Sequence, residues 1–157
     1  MKIILLQIDK TQDSYLSEGI ENYTKRLKNY TTFEMTTINV PKAVRQRSQK
    51  EQKTEEGKLI LNFISPEDHL VLLDDKGKEF SSPEFASYLS KKQNASPKRL
   101  IFLIGGPFGF DERIYQRADF QLSFSRMTFS HQMIRLFFVE QLYRAFTILK
   151  GEKYHHE

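Results

Sequence analysis

The sequence predicts an α/β fold: a mostly parallel sheet with helices on both faces. Three observations carry this. Short apolar or alternating runs of strand length alternate with stretches of helical periodicity from one end of the chain to the other. The first run, "KIILLQI", is apolar almost throughout, as a strand covered on both sides is. The length of 157 residues, 39% hydrophobic and 28% charged, suits one domain, residues 1–157, with a full-sized core.

The elements follow in order. Lys2–Ile8 forms the first strand. Leu16, Ile20, Tyr23, Leu27 and Tyr30 then recur at spacings of four, three, four and three. They make one apolar stripe on a helix that Asp13 or Ser14 caps. Phe33–Val40 alternates, is rich in β-branched residues and makes the second strand. Pro41–Lys58 is polar and begins basic; it reads as a loop entering a helix that runs through "KLILNFI" to Ser65-Pro66. His69–Asp75 is a third strand ending at the turn "DDKGK". "SSPEFASYLSKK" opens with serine, proline and glutamate, as a helix N-terminus does. "RLIFLI" is the fourth strand, "FDERIYQRA" a short helix capped by Asp111, and "DFQLSFS" the fifth strand. The last helix starts near His131 and ends at Leu149, and "KGEKYHHE" is a tail.

That last helix is apolar nearly all round. Ile134, Phe138, Leu142, Ala145 and Leu149 share one broad face, while Met133, Phe137 and Ile148 lie well round the other side. Only a narrow strip with Glu140, Arg144 and Thr147 is polar. Such a helix needs two surfaces to bury against. One sheet supplies the first, and a second copy of the chain is expected to supply the other, as a homodimer.

Composition removes several classes of function. The chain has no cysteine, which excludes disulfides, zinc ribbons and thiol nucleophiles and fits a reducing compartment. The start is too short in apolar residues for a signal peptide. Arg135, Glu140 and Arg144 interrupt the longest apolar region, so no membrane span is expected. His69, His131, His155 and His156 have no metal-ligand spacing with a carboxylate, and no metal is expected. A net charge of +4 favours a polyanionic partner. Lys42, Arg45, Arg47, Lys50 and Lys53 are the candidate contacts to such a polyanion; the competing reading is a solvated loop and helix face.

The glycine loop "LIGGPFGF" follows the fourth strand, at the edge where open α/β sheets bind ligands. No lysine follows the third glycine, and the spacing of a dinucleotide fingerprint is absent. Asp111 and Glu112 open the next helix and would repel a phosphate. The loop therefore suits a neutral or cationic ligand, or is only a tight turn. Strand three, ending at Leu73-Asp74, and the segment Phe124–His131 after strand five reach the same edge. Together they make a candidate pocket with backbone donors.

"LIGGPFGF", followed by "LSFSRMTFSHQMIRLFFVEQLYRAFTILKGEKYHHE", resembles the large-subunit (23S) rRNA pseudouridine N3-methyltransferases of the SPOUT class. The resemblance covers the whole chain, including "GIENYTKRL". It implies a SPOUT-type α/β fold with a C-terminal trefoil knot that holds the methyl donor S-adenosylmethionine. It implies a homodimer, a pseudouridine target in the assembled ribosome, and hence a cytoplasmic protein. By position, Leu73, Gly105, Phe124, Ser125, Arg126, Met127, Thr128 and Phe129 match the donor-binding segments. His131, Arg144, Tyr154 and His155 match residues of substrate binding and catalysis. Ser130 stands where many members carry proline, and serine is expected to serve as a cap for the last helix.

The chemistry this implies needs alignment of the reacting atoms and removal of the N3 proton. Arg144 is the candidate for stabilising the developing imide anion. His131 or His155 is the candidate proton acceptor. Arg144 also follows Glu140 by four residues, so an intrahelical ion pair is the competing reading. Two other functions remain open from sequence: an inactive ribosome-binding protein of the same fold, and a small nucleotide- or flavin-binding module.

Overall fold

A computed structural model of the chain describes residues 1–156; Glu157, the last position of the tail, lies outside the described residues. In chain order the elements are β1 (Lys2–Ile8), α1 (Ser14–Leu27), β2 (Thr32–Ile38), α2 (Lys42–Arg45), α3 (Gln49–Phe63), β3 (His69–Glu79), α4 (Ser82–Ala95), β4 (Arg99–Ile104), α5 (Glu112–Arg117), β5 (Phe120–Ser123) and α6 (Met133–Leu149). The five strands form one sheet in the order β2-β1-β4-β3-β5, with every neighbouring pair parallel. This order is consistent with the knotted crossing that the resemblance implies.

β1 explains the arrangement. Its side chains alternate between two cores. Ile3 and Leu5 enter a cluster with residues of α1, α4 and α6, while Ile4, Leu6 and Ile8 enter one with Ile60 of α3 and Ile114 of α5. A strand buried on both faces has no polar side to show, hence the unbroken apolar run. Three helices carry side-chain caps at their starts. Ser48 accepts from Glu51 N, Ser81 from Glu84 N and Asp111 from Arg113 N. Asp13 caps α1 through its carbonyl, which receives Leu16 N and Ser17 N, and not through its side chain.

Three expectations need correction. The "DDKGK" stretch is not a turn, because β3 continues through it to Glu79. Leu73 and Lys78 both register with Leu122, so the segment between them bulges out of the ladder. Gly77 makes this possible by its size. An added Cβ there would lie 2.7 Å from the backbone of Gln121 and Leu122. Within the expected loop after Pro41, Lys42–Arg45 closes one helical turn. α6 starts at Met133, beyond His131; Ser130 Oγ accepts from Met133 N at 3.0 Å and its carbonyl accepts from Ile134 N, so the serine does act as a cap.

The polar strip of α6 also differs from expectation. Thr147 is wholly buried and returns its hydroxyl to Arg144 O at 2.7 Å, whereas Leu149 is 41% exposed. Arg135 is wholly buried. Its guanidinium donates to Ile8 O, Thr11 Oγ1 and His131 O, tying the end of β1 to the start of α6. Burial lowers its pKa to about 10.

Candidate active site

The carboxyl ends of three adjacent strands, β4, β3 and β5, open onto one cleft of about 430 Å³. That volume suits a small organic ligand. β4 contributes Ile104 and then Gly105, Gly106 and Gly109; β3 contributes Leu73, Asp74 and Asp75; β5 contributes Leu122, Ser123 and Phe124. The loop after β5 closes the cleft with Ser125, Met127, Thr128, Phe129, Ser130 and His131. Gly109 has φ of 82°, a left-handed backbone that favours glycine, and its N–H closes the loop on Gly106 O at 3.2 Å. Ser125 Oγ accepts from Met127 N, and Thr128 donates its hydroxyl to Asp75, so the β5 loop is braced against β3.

The cleft's charge is negative on one wall. Tyr115 donates to Asp74 at 3.0 Å, and burial, together with the interaction with Asp74, raises the phenol to about 12. The neighbouring Asp74 carboxyl and the Thr128 hydroxyl, which donates to Asp75, hold the Asp75 carboxyl below its usual range, so it stays ionised. These acids, with no lysine among the lining residues, fit a ligand that carries positive charge. Sequence reading reached Asp74 as a strand end but did not use its charge. The usable signal was two acids at the carboxyl end of a strand beside a glycine loop.

His131 is the one histidine on the cleft's lining. Burial lowers its pKa below 6.5, and Arg135 and Arg45 lower it further against the opposing pull of Asp9. A neutral imidazole at pH 7 is able to accept a proton. Burial lowers His69 as well, with Lys92 adding to the effect. Both folded pKa values lie below the unfolded one, so the unfolded chain binds more protons. Their contribution to stability is complete above pH 6.5 and is lost as pH falls through the folded values. The denaturant midpoint is therefore expected to fall from pH 7 to about pH 5. In His69→Gln/His131→Gln that slope should be visibly flatter; an identical slope would contradict the assignment.

Arg144, Tyr154 and His155 form a second cluster. Arg144 donates to Glu140 at 2.5 Å, approaches His155 Nδ1 at 3.3 Å and lies 4.7 Å over the Tyr154 ring. Tyr154 donates to Glu140 at 3.0 Å and meets Tyr23 OH at 3.2 Å. The hydrogen bond to Glu140 holds the Arg144 pKa above its ordinary value, so the cation is permanent. Arg144 Nε is buried with no hydrogen-bond partner among the described residues. The tail is docked: Tyr30 donates to Glu152 at 2.7 Å, which raises the Tyr30 phenol to about 12, and Lys150 lies over the Tyr30 ring. The intrahelical Glu140–Arg144 pair therefore exists, and it also orients Arg144 toward the tail.

Residues 1–155 match the family described as "Predicted SPOUT methyltransferase". The chain belongs to the SPOUT methyltransferase family. Among its relatives, a protein of Parabacteroides distasonis named "Ribosomal RNA large subunit methyltransferase H" is 54% identical over 157 residues, covering all of both chains. One of Cytophaga hutchinsonii with the same name is 54% identical over 156 residues, covering 99% of this chain and 100% of the relative. A solved structure of a probable methylase family protein from Haemophilus influenzae Rd KW20 superposes with a TM-score of 0.52 at 11% identity. It covers 99% of this chain and 70% of that one, and shares the fold.

In this SPOUT chain, Leu73, Gly105, Phe124, Ser125, Met127, Thr128 and Phe129 all line the cleft. Arg126 does not; its side chain is 91% exposed and reaches Glu79 at 3.8 Å. Arg144, Tyr154 and His155 are brought to one another, but not to the cleft. Arg144 is ten residues beyond Ile134, a lining residue, which is about 15 Å along the helix. Among the basic residues, Lys42, Arg47 and Lys50 are exposed. Arg45 is turned inward and paired with Asp9 and Glu56. Among the described residues, no three or more histidine, aspartate or glutamate side chains come together as a metal site, and no helix is long and apolar enough to cross a membrane.

Proposed function

We infer that this chain methylates N3 of a pseudouridine in 23S rRNA of the assembled ribosome, using S-adenosylmethionine, as a cytoplasmic homodimer. The observation that carries the reading is the acid-walled, lysine-free cleft at the ends of β3, β4 and β5, in a SPOUT chain whose full-length relatives are named for rRNA methylation. Its acids fit the donor's sulfonium, which supplies the methyl group by in-line displacement: the N3–C bond forms as the S–C bond breaks, and the N3 proton leaves. Leu73, Gly105 and Phe124–Phe129 would hold the donor, Arg126 through its main chain. The protein's own task is to align the base and stabilise the anion left by the proton. The permanent cation of Arg144 serves the anion. His131, neutral at pH 7, or His155 receives the proton. Tyr154 orients Arg144 through Glu140.

The homodimer reading rests on two observations. Phe129 and Phe137 meet as tilted rings with centroids 5.0 Å apart yet are 38% and 39% exposed, and Met127 is 74% exposed. An exposed apolar patch of this kind marks an interface. The cleft and the Arg144 cluster are also too far apart within one chain to act on one methyl group, and a second copy brings another cluster to the cleft. Lys42, Arg47, Lys50 and Lys53 contact rRNA phosphates.

The intact cleft and the charged Arg144 argue against an inactive binding protein. The test is mass spectrometry of 23S rRNA from a strain lacking the protein, paired with calorimetry. The methylated pseudouridine should disappear, and the protein should bind S-adenosylmethionine but not FMN. A mark that persists in the deletion strain overturns the enzyme reading.

A further inference from the structure

Behind the glycine loop lies a charged cluster that this chemistry does not use. Glu56 of α3 is 4% exposed. One carboxylate oxygen accepts from Arg45 at 2.8 Å. The other lies against Gly106, where an added Cβ would be 2.8 Å from it. Arg45, at the end of α2, also donates to Asp9. Asp9 in turn accepts from Val40 N at 3.0 Å and has φ of 57°. A non-glycine residue rarely adopts that backbone, and such strain collects at functional sites.

This cluster is a poor device for stability. Burial raises the Glu56 pKa in spite of Arg45. A buried ion pair is commonly replaced by apolar side chains of similar volume at no cost to stability. Its position is more informative. Gly105 and Gly106 face the donor cleft on one side, and Glu56 backs Gly106 on the other. Arg45 also lines a neighbouring cleft of about 360 Å³ with Asp9, Pro107, Phe108 and His131, so the cluster borders both the loop and the candidate proton acceptor.

We propose that Asp9, Arg45 and Glu56 form a positioning device, in which Glu56 is the positioning residue that fixes the Gly105–Gly106 wall of the donor cleft. The proposal rests on the cleft being the S-adenosylmethionine site. Gly106 leaves room for the carboxylate, Arg45 holds the carboxylate, and Asp9 holds Arg45 to the end of β1. A wall fixed in advance need not be ordered when the donor arrives, so its loss weakens donor binding and leaves the chemical step intact.

Two variants test this, Glu56→Gln and the apolar pair Arg45→Met/Glu56→Met, the second chosen to avoid a buried unpaired charge. Melting temperature, donor Kd by calorimetry, and donor KM and kcat at saturating ribosomes are measured for each. The apolar pair should melt near wild type and Glu56→Gln below it, because it leaves Arg45 without one partner, and both should show donor Kd and KM raised about tenfold and kcat within about twofold. Unchanged Kd and KM in folded variants overturn the proposal. So does a lowered melting temperature of the apolar pair, or failure of both variants to fold, because the cluster is then structural. If wild type itself fails to bind S-adenosylmethionine, the functional reading falls first and takes the inference with it.

Discussion

Arg144→Ala is expected to bind S-adenosylmethionine as wild type does and to leave its rRNA target unmethylated. Arg144 lies about 15 Å along α6 from the cleft of its own chain, so donor affinity has no reason to change. Its cation is held by Glu140 and directed at the tail, where removing a donor from a developing anion lowers turnover by roughly 10²–10³-fold. Part of that loss comes from the tail, because Tyr154 rests its ring under the guanidinium. Arg144→Lys keeps the charge but not the planar fork, and is expected to recover only a minor part of the activity. The deciding measurement is single-turnover methylation of ribosomes lacking the mark, with calorimetry on the same samples. Mixing Arg144→Ala with a donor-site variant should restore partial activity if the two halves of the site come from different copies. Full activity in Arg144→Ala would remove it from the chemistry.

The second large effect is expected at Gly77. A methyl group there points into the backbone of β5, 2.7 Å from the carbonyl carbon of Gln121 and the nitrogen of Leu122. Side chains at the end of a flexible stem move aside, but paired main chain does not. Gly77→Ala should therefore cost about 3 kcal/mol, at the upper end of overpacking effects. For a chain of this size that lowers the melting temperature by roughly 6–12 °C. The strain falls between Leu73–Asp75 and Leu122–Phe124, two walls of the cleft, so donor affinity should fall with it. Calorimetric unfolding and donor titration of Gly77→Ala check both. A variant that melts like wild type would show that β5 can move away from β3.

Much of the fold was legible because local signals agreed with one another. The unbroken apolar run of β1 announced burial on both faces, and Ser81-Ser82-Pro83-Glu84 announced a helix start that the structure caps at Ser81. The cleft was legible in its parts, since Gly105 and the segment from Phe124 to Phe129 follow strands whose ends meet at one edge. Other features were not legible for physical reasons. "DDKGK" carries the composition of a turn, but Gly77 serves close approach to another strand, which no local pattern encodes. Arg135 reads as a surface interruption in an apolar helix, and its partners Ile8 and Thr11 come from the other end of the chain. Arg45 shares a basic run with Arg47 and Lys50, and only the fold turns it toward Asp9 and Glu56.

The sheet order has a kinetic consequence. Lys2 of β1 pairs with Thr32 across a helical crossover and with Arg99 of β4, well over half the chain later. No pair of neighbouring strands is joined by a tight hairpin, so no early zipper is available, and long-range parallel pairing is slow to nucleate. During synthesis β1 emerges first, and one whole edge of it waits until β4 has been made. The apolar run that buries β1 between β2 and β4 in the finished sheet is, until β4 has been made, a sticky segment with one edge unpaired. Folding of this chain is therefore expected to be largely post-translational and to benefit from a holding chaperone until β4 arrives.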